Sequence, residues 1–394
     1  MLANTKAPSG EEMVARARAL IPTLADRVLQ GERERRLSNE TIADMQAAGL
    51  FRVLQPRRWG GYELDILTYF ECQMALGEGD MSVAWVYGVV GVHPWLLALY
   101  DDRAAADVWG KDDSTLICSS LMPVGTALPA DGGFRLSGHW KYASGCEHAQ
   151  WAFLGGVPPG GAMEERRIFL VPRGDFEIVD VWRVAGLKGT GSHDIVVKDA
   201  FVPAHRTVKF SDNFRGWGPG LATNSGPLYR LPFGQVFFRG VSTGAIGALQ
   251  GMLNAYLDYG KKRISRLSGT PTSEDPLIQQ TCAEVACALD EMKTILHRNF
   301  RNLETYAARG EMPPLKLRME YKFHNAWVAE RCTQLAARLF KATGTVGIFE
   351  DQPYGRILAD INTARQHISN QFEANGRSYG AALFGVEQTK DLVL

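Results

Sequence analysis

The sequence predicts an α+β chain arranged as helices, then short strands, then helices again, and three observations predict it. Over residues 11 to 50, Val14, Ala17, Leu20 and Ile21 recur on one helical face, and Leu24, Val28 and Leu29 continue it. From Thr115 to about Phe210, short apolar runs alternate with turns such as Asp131-Gly132-Gly133 and Pro158-Pro159-Gly160-Gly161, a rhythm that suits a small barrel or sandwich. From about Gln235 to the end the helical period returns, as in a four-helix bundle. The expected partition is an amino-terminal helical domain over 1–112, a central β-domain over 113–213 and a carboxy-terminal helical bundle over 214–394.

In chain order, Ser38-Asn39-Glu40-Thr41 reads as a helix start into Ile42 and Met45. Phe51 to Pro56 and Trp59-Gly60-Gly61 form a loop before a helix from about Ile66 to Glu78. Met81 to Tyr100 carries no charged side chain and is long enough to span a bilayer. Gly88, Gly91 and His93-Pro94 interrupt it, however, and acidic Asp80, Asp101 and Asp102 flank it, so two buried helices broken near Gly91 to Pro94 are expected. Strands are expected at Leu116 to Ser119, Phe134 to Ser144, Trp151 to Gly155, Ile168 to Val171 and Ile195 to Val197, then a Gly/Pro-rich connection from Phe214 to Pro232. Gly240, Gly244, Gly247 and Gly251 follow at a spacing that permits close helix packing. Leu277 to Arg309, Leu315 to Thr343 and Pro353 to Phe372 complete the bundle.

Composition removes several classes of function. Forty-three basic and 43 acidic residues cancel, which invites neither nucleic acid nor an anionic membrane. Six scattered cysteines without a C-x-x-C pair read as reduced thiols, and the amino terminus lacks a signal pattern, so a cytoplasmic protein is expected. The eight histidines are dispersed and no metal framework is expected. No G-x-S-x-G or phosphate loop occurs, and the glycines at 186 to 191 lack the strand and helix of a dinucleotide fingerprint.

Two stretches carry the chemistry. Leu136 to His148 reads LSGHWKYASGCEH, a strand whose small exit residues let backbone approach something flat. Gly186 to Pro203 reads GLKGTGSHDIVVKDAFVP, with Gly189, Thr190, Gly191 and Ser192 ahead of an apolar strand. The pair resembles the middle β-domain of the acyl-CoA dehydrogenase superfamily, and the resemblance covers nearly the whole chain. It is nearest to the oxygen-using branch of reduced-flavin-dependent, two-component monooxygenases, which holds the phenol-ring hydroxylase of steroid degradation and the 4-hydroxyphenylacetate hydroxylase oxygenase component.

Residue by residue, the resemblance implies a flavin site. Ser119 and Ser120 fall where the family contacts the pyrimidine side of the isoalloxazine, Ser144 where a serine hydrogen-bonds near N5, and Trp140 and Ser192 lie in the same two motifs. Trp182 matches a tryptophan lining the ring and reads equally as a core aromatic. Arg263 falls where an arginine grips the flavin phosphate, although Lys261, Lys262 and Arg266 crowd the same stretch as on an ordinary solvated face. Thr343-Gly344 opens a signature that shapes the cofactor edge, and Ala359-Asp360 stands where the family usually has Arg-Asp. His93 reads either as a core histidine satisfied by a carbonyl or as an imidazole facing a phenol. Trp85, Trp95 and Phe237 are candidate walls for a bulky flat substrate, and are equally ordinary core.

His367 is the most telling residue. Acyl-CoA dehydrogenases commonly place a glutamate base near this position, and here a histidine, able to exchange protons near neutrality, replaces it. The resemblance therefore implies the oxygenase component of a two-component monooxygenase, hydroxylating a phenolic or polycyclic aromatic through a flavin C4a-hydroperoxide. It implies reduced FMN first and FAD second, molecular oxygen, a separate NAD(P)H-flavin reductase and a homotetramer. An acyl-CoA dehydrogenase with bound FAD, an N- or S-oxygenase, and a flavin-free helical scaffold remain as alternatives.

Overall fold

The computed structural model describes residues 7–214, 216–265 and 269–386; Arg266 lies outside them. Seven helices come first: α1 (Gly10–Ala19), α2 (Ile21–Glu34), α3 (Asn39–Ala47), α4 (Ile66–Gly79), α5 (Met81–Val90), α6 (His93–Leu97) and α7 (Asp102–Trp109). Side-chain caps start them where the sequence changes character: Ser38 Oγ accepts from the Thr41 N–H, and Asp65 and Asp80 accept from Thr68 and Ser82. The uncharged stretch from Met81 breaks at Gly91–Val92, and none of the described helices is long and apolar enough to cross a membrane.

Seven strands follow: β1 (Ile117–Ala130), β2 (Gly133–Ala143), β3 (Trp151–Val157), β4 (Arg167–Pro172), β5 (Glu177–Val179), β6 (His193–Pro203) and β7 (Thr207–Lys209). The expected small barrel or sandwich is one seven-stranded sheet in the order β5-β6-β2-β1-β3-β4-β7, with β1 and β3 parallel and the other pairs antiparallel. β1 runs well past its predicted end because its register slips between Ser120 and Gly125, where Pro123 needs no ladder N–H. β5 and β7, three residues each, are too short to carry an alternation that a sequence reveals.

The chain returns to helix with α8 (Phe210–Phe214), α9 (Phe233–Lys262), α10 (Pro276–Arg309), α11 (Leu315–Thr343), α12 (Pro353–Arg365) and α13 (Phe372–Leu383). One apolar core joins the amino-terminal helices to α9, α10 and α11, and a second fills the sheet around Trp140. The glycines of α9 make the first core possible. A Cβ on Gly240 would lie 2.7 Å from the Gly88 carbonyl oxygen, and one on Gly247 would lie 2.1 Å from that of Met74, so α9 touches α5 and α4 backbone to backbone.

Overpacking such a contact costs about 1–3 kcal/mol or more. Gly247→Ala is therefore expected to lower the urea midpoint markedly. Gly380→Ala, at a helical position where an added Cβ meets nothing within 4 Å among the described residues, should leave the midpoint unchanged or raise it slightly.

Candidate active site

Ser144 lies just past β2, where the register shifts between Trp140 and Ala143. Tyr142 there adopts a left-handed backbone (φ 65°), a strained state for a bulky residue, and Gly145 (φ 69°) completes the turn. The bulge delivers Ser144 into a buried line of hydrogen bonds. Trp85 Nε1, on α5, donates to Ser144 Oγ at 3.0 Å. Ser144 Oγ is 2.7 Å from Ser192 Oγ, which is 2.7 Å from Thr190 Oγ1, and Thr190 donates to the Leu187 carbonyl at 2.9 Å. Each hydroxyl has a single proton. Because Thr190 gives its proton to Leu187, Ser192 must donate to Thr190 and Ser144 to Ser192. Ser144 is left with one lone pair and no free proton.

His367 stands on the other side of Trp85, its ring edge-on to the indole at 5.7 Å. The sequence predicts one helix through to Phe372. Instead α12 stops at Arg365, and His367 caps a short turn, its Nδ1 accepting from the Ser369 N–H at 3.2 Å. Nδ1 is then the acceptor and Nε2 carries the proton. Desolvation pushes the pKa down to about 4, so the ring is a neutral N–H donor at pH 7.

His93 is the opposite tautomer. Its Nδ1 donates to the Ile117 carbonyl at 2.6 Å, and its Nε2 lone pair is buried without a partner among the described residues. Burial lowers its pKa to about 4 as well. The carbonyl contact is the one expected of a core histidine, and it leaves Nε2 as an acceptor. The ring stacks on Phe237 at 6.3 Å, and Phe237 stacks on Phe233 at 5.3 Å.

The other expected residues divide. Ser192 and Trp85 join the Ser144 line. Trp182 is half-buried, its indole N–H donating to the same Leu187 carbonyl at 2.9 Å and its ring edge-on to Tyr142. Arg263 and Gly344 converge: Nη1 donates to the Thr343 carbonyl at 3.3 Å, and Nη2 lies 3.6 Å from where a Gly344 Cβ would stand. Gly344, at φ 62° and ψ −144°, occupies a region essentially restricted to glycine. Ser119 keeps its side-chain hydroxyl unpartnered among the described residues, whereas Ser120 Oγ donates to the Lys141 carbonyl at 2.7 Å, tying β1 to β2. Two expectations need correction. Trp140 fills the core of the sheet, its N–H on the Gly155 carbonyl at 2.7 Å and its ring beneath Gly125 and Gly138. Trp95 is fully buried, its N–H on the Leu228 carbonyl at 2.8 Å and its ring against Phe233.

Two carboxyls that sequence reasoning passed over as site residues hold this arrangement. Asp360, on α12, accepts from the Leu187 N–H at 2.5 Å. Burial, with Asp80 nearby, raises its pKa to about 8, and burial raises that of Asp80 to about 6. Where the family usually has an arginine, the Ala359 carbonyl lies so close to Gly186 that a Cβ there would be 2.2 Å from its oxygen.

Helices, a central sheet and a helical bundle, with a strand exit of small hydroxylated residues meeting the end of a late helix, define the acyl-CoA dehydrogenase-like fold. The chain belongs to the acyl-CoA dehydrogenase family: the family's N-terminal domain matches residues 9–101 and its C-terminal domain residues 240–372. Within the family it is similar to the oxygenase subunit HsaA of a flavin-dependent monooxygenase from Mycobacterium tuberculosis, 36% identical over 93% of this chain and 94% of the relative. It is 32% identical to the oxygenase component of an FADH(2)-dependent resorcinol hydroxylase from Rhizobium, over 95% of this chain and 94% of the relative. Its fold superimposes on the crystal structure of 3-HSA hydroxylase from Rhodococcus with a TM-score of 0.93, at 34% identity, covering 97% of this chain and 99% of that one.

The raised pKa of Asp360 has a sign that can be measured. The folded protein holds this proton to about pH 8, whereas an ordinary carboxyl releases it near 3.8, so stability falls as pH rises through that window. His93 and His367, lowered to about 4, act the other way and lose stability as pH falls below 6.5. Between pH 6.5 and 8 the expected wild-type Tm declines, and Asp360→Asn, which keeps the acceptor oxygen, flattens the decline. A wild-type Tm that holds level across that range would contradict the assignment.

Proposed function

We propose that this protein is the oxygenase component of a two-component flavin-dependent monooxygenase that hydroxylates a phenolic or polycyclic aromatic substrate. The observation that carries the reading is the line of hydroxyls from Ser144 through Ser192 and Thr190 to the Leu187 carbonyl, from which the proton order follows. With its proton committed to Ser192, Ser144 offers a lone pair. That matches a reduced flavin, whose N5 bears a hydrogen, and mismatches an oxidised one, whose N5 is an acceptor.

The residues present fit the cofactor. Ser144 would meet the N5 edge, Ser119 offers an uncommitted hydroxyl on the neighbouring strand, Trp182 walls the exit of β2, and Arg263 beside Gly344 suits a phosphate. Bound reduced flavin supplies the activation of molecular oxygen, which proceeds poorly with closed-shell organic compounds. The chain supplies position and protons. His367 presents Nε2–H as a hydrogen-bond donor, and the buried His93 Nε2 accepts the hydrogen of a phenol held against Phe237. A carboxylate base for removing an α-hydrogen from a thioester is replaced by His367, which weighs against the dehydrogenase reading.

The flavin is FMN by the sequence expectation, and FADH2 in the name of the resorcinol-type relative, so both belong in the assay. A separate NAD(P)H-flavin reductase, a cytoplasmic setting and a homotetramer complete the proposal. Exposed Ile348, Phe349, Leu383 and Phe384 (90% exposed) are the kind of surface such an assembly covers.

The reading is tested by NADH-driven turnover with a general flavin reductase, screening phenols, polycyclic quinols, amines and thiophenes for one added oxygen by mass. A phenol product is expected; reduction of bound flavin by acyl-CoA thioesters without oxygen would overturn it. His367→Ala should cost about a hundredfold or more in hydroxylation. Ser192→Ala releases the Ser144 proton, so the ratio of oxidised to reduced flavin affinity should shift by about tenfold toward the oxidised form. An unchanged ratio would remove the proton order from the mechanism.

A further inference from the structure

Arg239 has no part in the site described above. It lies two residues along α9 from Phe237, about 200° round the helix, and so points into the bundle rather than toward His93. Its side chain is 2% exposed and lines a cavity of about 10 Å³ with Gln235, Asn299, Phe300, Tyr321 and Asn325, where α9, α10 and α11 meet. Nη1 donates to Asn325 Oδ1 at 3.4 Å, while Nε and Nη2 are buried without a partner among the described residues.

The acceptors in the walls are uncharged: Asn325 Oδ1, and Gln235 Oε1, whose amide Nε2 donates to the Arg318 carbonyl at 3.0 Å. Asn299 Oδ1 already accepts from Arg298 at 2.9 and 3.2 Å. The Tyr321 hydroxyl accepts from Asn302 at 2.7 Å, which leaves its own proton uncommitted. No aspartate or glutamate lines the cavity. Burial lowers the Arg239 pKa to about 9, so the guanidinium is still charged at pH 7. A buried charge with no counter-charge is strongly destabilising. A space of this size admits about one water-sized occupant, and is too small for sulfate or phosphate.

We propose that this cavity is a binding site for a single halide ion, chloride in ordinary use, held by Arg239 Nε and Nη2 with the Tyr321 hydroxyl. The ion neutralises the guanidinium and cross-links the three longest helices of the bundle. It is structural, separate from the flavin site, and independent of the proposed chemistry.

The full-length protein tests this in two measurements. Its Tm is followed in bromide against gluconate, an anion too large for the cavity, at matched ionic strength. Crystals soaked in bromide are examined by anomalous diffraction. Wild type should gain about 2 °C for each tenfold rise in bromide above the dissociation constant, and show an anomalous peak beside Arg239. Arg239→Met should abolish the bromide dependence. If that variant does not fold, Tyr321→Phe carries the test and should weaken it several-fold. Equal Tm in the two salts with no peak at Arg239, meaning that only water occupies the cavity, would overturn the proposal. So would a bromide dependence that survives both substitutions.

Discussion

The hydrogen bond from the Leu187 N–H to the buried carboxyl of Asp360 is the contact on which the site depends. Leu187 has a left-handed backbone (φ 54°), and its carbonyl accepts from both Thr190 and Trp182. Holding that one residue by its N–H steadies the carbonyl, on the next peptide, at which the hydroxyl line ends, and so the direction in which three protons point. The same helix that carries Asp360 ends at Arg365, two residues before His367. One carboxyl therefore couples the β-turn to the imidazole. Keeping it protonated in the interior makes it compatible with Asp80 nearby, because two buried charges of one sign would repel.

That coupling is possible because the helices approach closely. α9 meets α4 and α5 through Gly240, Gly244, Gly247 and Gly77, with the Gln73 amide tying the Ala84 and Gly240 carbonyls together at 3.0 and 2.6 Å. α5 is thereby pressed between α9 and the sheet, and Trp85 reaches Ser144 on one side and His367 on the other. A little further along, α6 places His93 against the first residue of β1. The two imidazoles share low basicity and differ in tautomer, since one hands its Nδ1 proton to a carbonyl and the other accepts a backbone N–H at Nδ1. One is an acceptor and the other a donor, a division of labour set by backbone contacts alone.

Much of this was legible in the sequence, for identifiable reasons. The order helix, sheet, helix follows from period, and the break in the apolar stretch at Gly91 follows from residues that cannot continue a helix. Ser144, Ser192 and His367 stood in motifs whose small or polar residues need a reason to be there. Trp140 and Trp95 misled because an aromatic in a motif looks alike whether it faces a ligand or a core, and the deciding fact is a backbone carbonyl distant in sequence. Asp360 was visible only as a motif position; its partner, Leu187, is 173 residues away in the chain, which no local pattern encodes. Arg239 gave no signal because an arginine between apolar helical positions reads as one that reaches solvent.

The central claim is an assignment of protons, so the most direct measurement is a neutron crystal structure of the protein with reduced flavin bound. The account predicts the isoalloxazine beside both Ser144 and His367, the Ser144 deuteron aimed at Ser192, and a deuteron on Nε2 of His367. A Ser144 deuteron turned away from Ser192, or a flavin ring lying apart from these two residues, would contradict it.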